Sequence, residues 1–254
     1  MLFVSVRIVI EKLTFGSYQH QIRTSRIAVK KVSLEKIYIS ELMEPNFVFR
    51  RFVNGVKMET KGADFTASYN MDTGSAGTID WSFVANYNAN KVLGINPLPG
   101  ALYVNKADPR RSALINRYSV VQLENSTPKV RATLGAFWKL DRFSINIRES
   151  YYSRVYALET TPGNSPLKGA DIQVPVNAAF ITDLEAGIQV SPGLKVAAGA
   201  NNLFDHYPTE RSYTNIRQPQ LVAGSRSFSS NLYPTISPYG INGGFYYVKA
   251  TYTF

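Results

Sequence analysis

The sequence is poor in the residues that build disulfide and metal sites. It has no cysteine and only two histidines among 254 residues. Disulfide bonds and thiolate metal sites are therefore excluded, and no second ligand stands at a metal-binding spacing from His20 or His206. We accordingly predict no metal and no cofactor.

Long apolar runs and export signals are missing as well. No run approaches the roughly 18 apolar residues that a membrane-spanning helix needs, which excludes a helical membrane protein. The amino-terminal stretch MLFVSVRIVI is interrupted by Arg7 and lacks a small-residue cleavage site. It is therefore unlike a signal peptide.

The signatures of common catalytic sites are also absent. Neither the G-x-S-x-G nucleophile elbow nor the G-x-x-x-x-G-K phosphate loop occurs. Residues 72–76 (DTGSA) match the catalytic loop of aspartic proteases, but that chemistry needs two such aspartates and the sequence has no second copy. Asp and Gly are also ordinary residues of a tight turn. We therefore predict that the chain is not an enzyme.

Aromatic residues and positive charge are what the sequence has in excess. Aromatics make up 13%, with 16 Tyr and 14 Phe, and the net charge is +10. Tyrosine suits membrane interfaces and ligand-facing loops. The charge suggests an anionic partner, such as lipopolysaccharide or an acidic ligand, although a solvated basic surface also explains it.

Alternation with a period of two residues runs from Val56 to the carboxy terminus. In the final stretch one face carries only apolar or aromatic residues: Tyr246, Val248, Ala250, Tyr252 and Phe254. Such a strand suits a wall between lipid and a watery lumen, and equally a half-buried strand of a soluble sandwich. Leu2 to Ile10 predicts a weaker strand, and residues 11–55 fit neither the helical nor the strand period.

The lengths of the strands and of their connections separate these alternatives. Strands of roughly 10 to 15 residues exceed the usual 5 to 6 of soluble sheets. Short connections alternate with long irregular ones. The short ones are 71–77, 141–142 and 191–193, and the long ones are about 92–127, 158–175 and 205–241. This alternation is typical of bacterial outer-membrane barrels.

We therefore predict an all-β fold, an antiparallel transmembrane β-barrel of which this chain supplies about eight strands. Charged residues opposite the apolar face would line the lumen, because a charge facing lipid at mid-depth costs about 2–4 kcal/mol. A complete small eight-stranded barrel with a structural or adhesive role is one alternative, and a soluble all-β binding module is another. Nucleic-acid binding would not explain the apolar faces of the strands.

Five stretches carry a family resemblance, two of them at residues 148–152 and 180–184. The run GANNLFD at 199–205, followed by Tyr207 and Pro208, resembles the penultimate-strand signature of TonB-dependent outer-membrane receptors. The ending YGINGGFYYVKATYTF resembles the final strand of that family with its terminal aromatic residue. Thr60, Gly62 and Asp64 resemble its recurrent Thr-x-Gly followed by an acidic residue. The resemblance covers residues 47–254, and residues 1–46 remain an unassigned strand plus loop.

The resemblance implies about the last eight strands of a barrel of about 22 strands in the cell outer membrane. Such receptors take up a nutrient, here expected to be a ferric siderophore or a similar small molecule, when TonB acts on a plug. Because the chain lacks the plug, the TonB box and a signal peptide, we expect it to be a receptor fragment. The implied partners are outer-membrane lipid and lipopolysaccharide, the barrel-assembly machinery, and TonB through the missing plug.

The long loops combine arginine and tyrosine, which suits an anionic, aromatic-rich ligand. Solvated loop residues or lipopolysaccharide contacts would show the same composition. The candidate ligand-binding residues are Arg110, Arg111, Arg117, Tyr118, Tyr207, Arg211, Tyr213 and Arg217. The candidate barrel-assembly signal is Tyr246, Val248, Tyr252 and Phe254.

Overall fold

The structure is a computed structural model that describes residues 2–15, 55–96, 115–160, 171–217 and 232–253. The chain divides into two compact units. One contains Met1–Ile10, Lys61–Asn90 and Val121–Phe254, and the other contains Glu11–Thr60 and Lys91–Val120. The described part holds no helix with the length and apolar character that a membrane span requires.

Ten strands, one α-helix, a 3-10 turn at Gly74–Ala76 and a π-helical turn at Tyr213–Arg217 make up the regular structure of the described ranges. The strands are β1 (Leu2–Phe15), β2 (Val56–Asp72), β3 (Thr78–Ile95), β4 (Val130–Leu140), β5 (Phe143–Tyr152), β6 (Val155–Thr160), β7 (Asp171–Val176), β8 (Ala179–Ser191), β9 (Leu194–Asn201) and β10 (Phe245–Tyr252), and the helix is α1 (Arg117–Asn125). Eight strands form one sheet in the order β1-β2-β3-β4-β5-β8-β9-β10. Strands β6 and β7 form a separate hairpin between β5 and β8.

The antiparallel register places the apolar residues of successive strands opposite one another. Phe83 lies opposite Leu134, and Ile147 lies opposite Leu184. At the end of the chain, Val248 lies opposite Ala198 and is 79% exposed. We call this surface of the sheet the apolar face, and its reverse the polar face. The predicted alternation is confirmed, and the apolar face is open to its surroundings.

Tight turns close the sheet at one end. Residues 73–77, 141–142 and 192–193 are the connections there. In the first turn, the Thr73 hydroxyl donates to the Gly77 carbonyl at 2.6 Å, and the Gly74 N–H donates to the Asp72 carboxylate at 2.8 Å. Gly77 has φ 89°, and a Cβ there would lie 2.2 Å from the Lys139 carbonyl oxygen. The DTGSA run is thus a structural turn.

A tryptophan fastens the same turn to the neighbouring hairpin. The Trp138 indole N–H donates to the Ala76 carbonyl at 2.7 Å. Across the sheet, Trp138 lies opposite Ile79. The first short turn is therefore tied to β4 by a side chain as well as by the strand ladder.

The opposite end of the sheet differs from the prediction of irregular loops. Strand β3 continues to Ile95, and α1 occupies Arg117–Asn125 inside the predicted loop 92–127. The Asn116 side chain accepts a hydrogen bond from the Ser119 N–H at 2.9 Å, which caps the start of α1. The predicted loop 158–175 contains the end of β6 and most of β7. Strand β1 likewise runs past Ile10 to Phe15.

Candidate functional site

Beyond the long-loop end of the sheet, the chain packs a small core of its own. We call this region the loop cluster; it comprises β6, β7 and residues 202–217 and 232–244. Val155, Val174, Val176 and Ile216 are each at most 3% exposed. The β-branched side chains at alternate positions of β7 suit a strand that buries one face. The loop cluster therefore buries apolar side chains, and Tyr239 packs it against Tyr152 of β5.

A buried ion pair links two parts of the loop cluster. Arg211 Nη2 donates to Glu159 Oε1, and the two side chains are 3% and 22% exposed. The Arg211 N–H also donates to the Leu232 carbonyl at 2.9 Å. Burial, and then the charge of Arg217, lowers the pKa of the Arg211 guanidinium. Arg211 thus joins the 205–217 segment to the hairpin and to residue 232.

A second arginine stands beside an exposed aromatic ring. Tyr213–Arg217 forms a single π-helical turn, and the Arg217 guanidinium carbon lies 5.4 Å from the centroid of the Tyr213 ring. Tyr213 is 54% exposed. Arg217 Nε is buried and has no hydrogen-bond partner among the described residues. A guanidinium with a spare donor next to an open ring can bind an anion and stack a planar group.

Two further tyrosines form a stacked pair in the loop cluster. The rings of Tyr207 and Tyr233 lie 5.4 Å apart with an interplanar angle of 21°. The charge of Asp205, together with desolvation and a hydrogen bond from the Tyr207 hydroxyl to Asp205, raises the pKa of Tyr207. Deeper in the loop cluster, Tyr239 contacts both His206 and Tyr152, and burial raises the pKa of Tyr239.

Charged residues of the polar face form pairs between strands. Arg148 Nη2 lies 2.6 Å from Asp183, and Lys249 Nζ lies 2.7 Å from Glu185. The Tyr247 hydroxyl donates to the same Glu185 carboxylate at 2.9 Å. A pocket of about 90 Å³ opens here, lined by Asn146, Arg148, Asp183, Leu184, Glu185, Ala200, Asn201 and Tyr247. These pairs lie opposite the apolar face, where the sequence predicts luminal residues.

The loop cluster brings together Tyr207, Arg211, Tyr213 and Arg217 of the predicted ligand-binding residues. Arg117 and Tyr118 begin α1 in the other compact unit. Arg110 and Arg111 lie outside the described residues, as does Phe254. The predicted assembly residues Tyr246, Val248 and Tyr252 lie exposed on the apolar face of β10.

The sequence did not indicate a role for two acidic residues of the loop cluster, Glu159 and Asp205. Glu159 lies in the segment predicted to be an irregular loop. No strand pattern there indicates that its side chain contacts Arg211. Asp205 belongs to the NLFD run, whose resemblance to the family signature singled out the segment but not the role of the carboxylate. Within the described ranges, no group of three or more potential metal-ligating His, Cys, Asp or Glu side chains occurs.

Long antiparallel strands with one apolar face, joined by tight turns at one end and long loops at the other, define part of an outer-membrane-type β-barrel wall. The family model for the TonB-dependent receptor-like β-barrel matches residues 37–203, more than half of the chain. The chain therefore belongs to the TonB-dependent receptor β-barrel family. The family consists of receptors, in agreement with the prediction of a chain that is not an enzyme.

Two solved structures, each with a TM-score of 0.50, show the same fold. The pyoverdine outer membrane receptor FpvA of Pseudomonas aeruginosa bound to pyoverdine is 12% identical, with a TM-score of 0.50 over 99% of this chain and 27% of that one. The ferripyoverdine receptor of the same organism is 12% identical, with a TM-score of 0.50 over 98% and 25%. A mutant of the ferric enterobactin receptor PfeA, also from Pseudomonas aeruginosa, is 14% identical, with a TM-score of 0.48 over 100% and 29%.

At these identities the likeness shows the fold alone. The chain spans about a quarter of the length of the receptors it matches. No curated protein matches the sequence. The family model begins ahead of the predicted boundary at residue 47 and ends before β10.

Proposed function

We propose that this chain supplies part of the wall and part of the ligand-binding loops of a TonB-dependent receptor in the cell outer membrane. The receptor imports a small anionic nutrient, for which a ferric siderophore is the favoured class. Family membership supports the receptor, and the fold likeness to FpvA, which was solved bound to pyoverdine, supports the class of ligand. TonB would act on a plug outside this chain.

In this proposal the apolar face of the sheet is the surface that faces the membrane. It contacts the acyl chains of outer-membrane lipid, and the loop end contacts lipopolysaccharide. The aromatic residues of β10 and Phe254 serve as the signal that the barrel-assembly machinery recognises. On the reverse, the paired charges of the polar face line the lumen, where water or the plug satisfies their remaining hydrogen-bonding capacity.

The arrangement of Arg217 beside Tyr213 carries the ligand proposal. The buried Nε of Arg217 is a donor that no described residue satisfies, and the neighbouring tyrosine ring is open on the surface. Arg217 as a whole is half-buried, and its guanidinium can donate a charge-assisted hydrogen bond to an anionic oxygen of a ligand. The exposed ring of Tyr213 would at the same time stack against a planar part of the ligand.

The other predicted residues take different roles around this pair. Tyr207 offers a second aromatic surface in the loop cluster through its stack on Tyr233. Arg211 positions the turn that carries Arg217, because its guanidinium is engaged by Glu159 inside the loop cluster. Arg110, Arg111, Arg117 and Tyr118 stay candidates for contacts made by another loop.

Binding of ferric pyoverdine to the full chain in detergent micelles, measured by isothermal titration calorimetry, tests the proposal. Arg217→Ala should weaken binding by on the order of tenfold or more, the factor expected when a hydrogen bond to a charged group is lost. Arg217→Lys should retain part of the affinity, because the charge remains while the planar donors are lost.

Arg142 is the matched control for Arg217. Its guanidinium carbon also lies 5.4 Å from a ring centroid, that of Phe143, but at the short-turn end of the sheet. Arg142→Ala should leave the affinity unchanged. Equal loss in the two alanine variants would show that the effect is one of net charge, and an unaltered Arg217→Ala would remove the ligand role from the loop cluster.

A further inference from the structure

The Asn202–Asp205 run lies where the last long loop leaves β9, and its backbone conformation is unusual. Asn202 and Asp205 both have positive φ, 53° and 54°. The Asn202 side chain holds this shape by donating to the His206 carbonyl at 2.8 Å and accepting from the His206 N–H at 2.9 Å. Non-glycine residues in the left-handed region persist where surrounding bonds over-determine them.

The same run is bonded to β8. The Asn202 N–H donates to the Asp183 carboxylate at 2.9 Å, and the Leu203 N–H donates to the Thr182 carbonyl at 2.7 Å. Hydrogen bonding to β8 therefore continues past the end of β9. The start of the loop is fixed relative to a strand in the interior of the sheet.

Asp205 then bonds to the far end of the loop. Its carboxylate accepts from the Gly244 N–H at 2.7 Å, one residue before β10 begins, and from the Tyr207 hydroxyl. Gly243 has φ 72°, and a Cβ there would lie 2.3 Å from Asp205 Oδ1 and 2.4 Å from the Tyr207 hydroxyl. Only glycine permits this close approach with that backbone conformation. The Tyr246 hydroxyl adds a bond to the Leu203 carbonyl at 3.0 Å.

The pattern of β10 does not fix its own register on β9. Tyr246, Val248, Ala250 and Tyr252 lie opposite Ala200, Ala198, Val196 and Leu194. A slip of two residues keeps every apolar side chain on the apolar face, since the side-chain period of a strand is two. Small, similar partners on β9 discriminate weakly between such registers. Something outside the apolar face has to select one.

We propose that Asp205 is a positioning residue that closes the base of the last loop and sets the register of β10 against β9. By joining residue 205 to residue 244, it aligns Phe245 with Asn201 and hence the whole ladder. Closing the intervening loop costs chain entropy, which a single strong contact at its base helps to offset. The Glu185 contacts to Tyr247 and Lys249 favour the same register and need to be separated by experiment.

The absence of cysteine makes register directly measurable by disulfide cross-linking. Ala198→Cys with Val248→Cys reports the native register, because these residues lie directly opposite. Ala198→Cys with Ala250→Cys reports a two-residue slip, because diagonal Cβ atoms about 7 Å apart in the native register are too distant for a disulfide. The ratio of the two cross-link yields is measured in the full chain folded in detergent micelles.

Asp205→Ala should lower the native-to-slipped ratio by on the order of tenfold, the factor expected for one hydrogen bond to a charged group. Gly243→Ala should lower it similarly while leaving every side chain of the run intact. The control is Phe204→Ala, because Phe204 lies in the same turn and is 75% exposed; its ratio should stay unchanged.

The proposal is overturned if Asp205→Ala and Gly243→Ala both show the same native-to-slipped cross-link ratio as Phe204→Ala. It is equally overturned if Lys249→Ala shifts the register while Asp205→Ala does not, since the Glu185 contacts would then be the determinant. Should Asp205→Ala fail to fold, Gly243→Ala and Asp205→Asn decide the question. The asparagine keeps an acceptor for Gly244 and is expected to retain most of the native cross-link.

Discussion

The two ends of the sheet are built on different physical principles. At the long-loop end, Val155, Val176 and Ile216 are almost completely buried, and Arg211 forms a buried ion pair with Glu159. At the short-turn end, the connections are two to five residues long, and Trp81 and Phe143 on the apolar face remain exposed. The long-loop end buries apolar side chains, whereas the short-turn end relies on backbone hydrogen bonds, on the bond from Trp138 to Ala76 and on what surrounds the apolar face.

This difference separates the tasks of the two regions. Loops that must present side chains in a defined geometry need packing and satisfied polar groups of their own. A sheet whose apolar face meets lipid needs no core, because the acyl chains take the place of one. The loop cluster should therefore keep its shape when the sheet is perturbed locally, and the sheet should respond most to changes on its apolar face.

The largest expected effect comes from breaking the ion pair inside the loop cluster. Arg211→Ala leaves the partly buried Glu159 carboxylate without its cation, which costs about 3 kcal/mol of local stability, the low end for a buried pair. Hydrogen exchange should accelerate in β6, β7 and residues 205–217 and stay unchanged in β4 and β5.

Arg148→Ala is the matched comparison on the polar face. Arg148 also pairs with a carboxylate, that of Asp183, but it is 56% exposed, and such pairs contribute about 0–1 kcal/mol. Comparable exchange effects for the two variants would show that the loop cluster is no more self-supporting than the sheet.

An effect of comparable size is expected from a charge on the apolar face. Ile147→Arg should lower the free energy of unfolding in phospholipid vesicles by about 2–4 kcal/mol, the cost of an arginine facing lipid at mid-depth. Urea titration of the vesicle-bound chain measures this. The neighbouring Asn146→Arg, on the polar face, should be close to neutral, and a similar penalty for both would argue against lipid contact on one face only.

The smallest effect is a dependence on alkaline pH at the base of the last loop. Because the Asp205 charge, desolvation and the Tyr233 hydroxyl raise the pKa of Tyr207, its contribution is complete below the unfolded value of 10.0. That contribution is lost as the pH rises through the folded value. The thermal midpoint, followed by near-ultraviolet circular dichroism, should fall less with pH in Tyr207→Phe than in the unchanged chain. Parallel curves would contradict the Asp205–Tyr207 contact.

The sheet could be predicted from the sequence because its alternation is almost uninterrupted. The strands of the main sheet from β4 to β10 place apolar residues at alternate positions, with Glu149 and Thr182 as polar exceptions, and the tight turns carry Asp and Gly. Period-two patterns report which face a residue occupies, since successive side chains point to opposite faces. The same patterns do not report register, which the structure alone supplies.

The loop cluster could not be predicted in the same way, since long-range partners shape it. Strands β6 and β7 are six residues each, and β7 contains Pro175, a residue that strand interiors disfavour. The charge of Arg211 indicated a surface residue, because nothing local announces a carboxylate that lies 52 residues away in the chain. Helix α1 could not be predicted for a related reason. Its sequence is only weakly amphipathic, and the helix is stabilised by the cap at Asn116.

The hydrogen bond from Trp138 to Ala76 holds an indole ring at the short-turn end of the sheet, and this determines what tryptophan fluorescence reports. The chain has only two tryptophans, and both Trp81 and Trp138 lie within a few residues of the tight turns. Indole emission therefore originates from a single end of the sheet, while the loop cluster absorbs through tyrosine alone. Quenchers attached at known depths along a lipid acyl chain would read the position of the turn end in a bilayer from the unmodified protein, with no dye introduced.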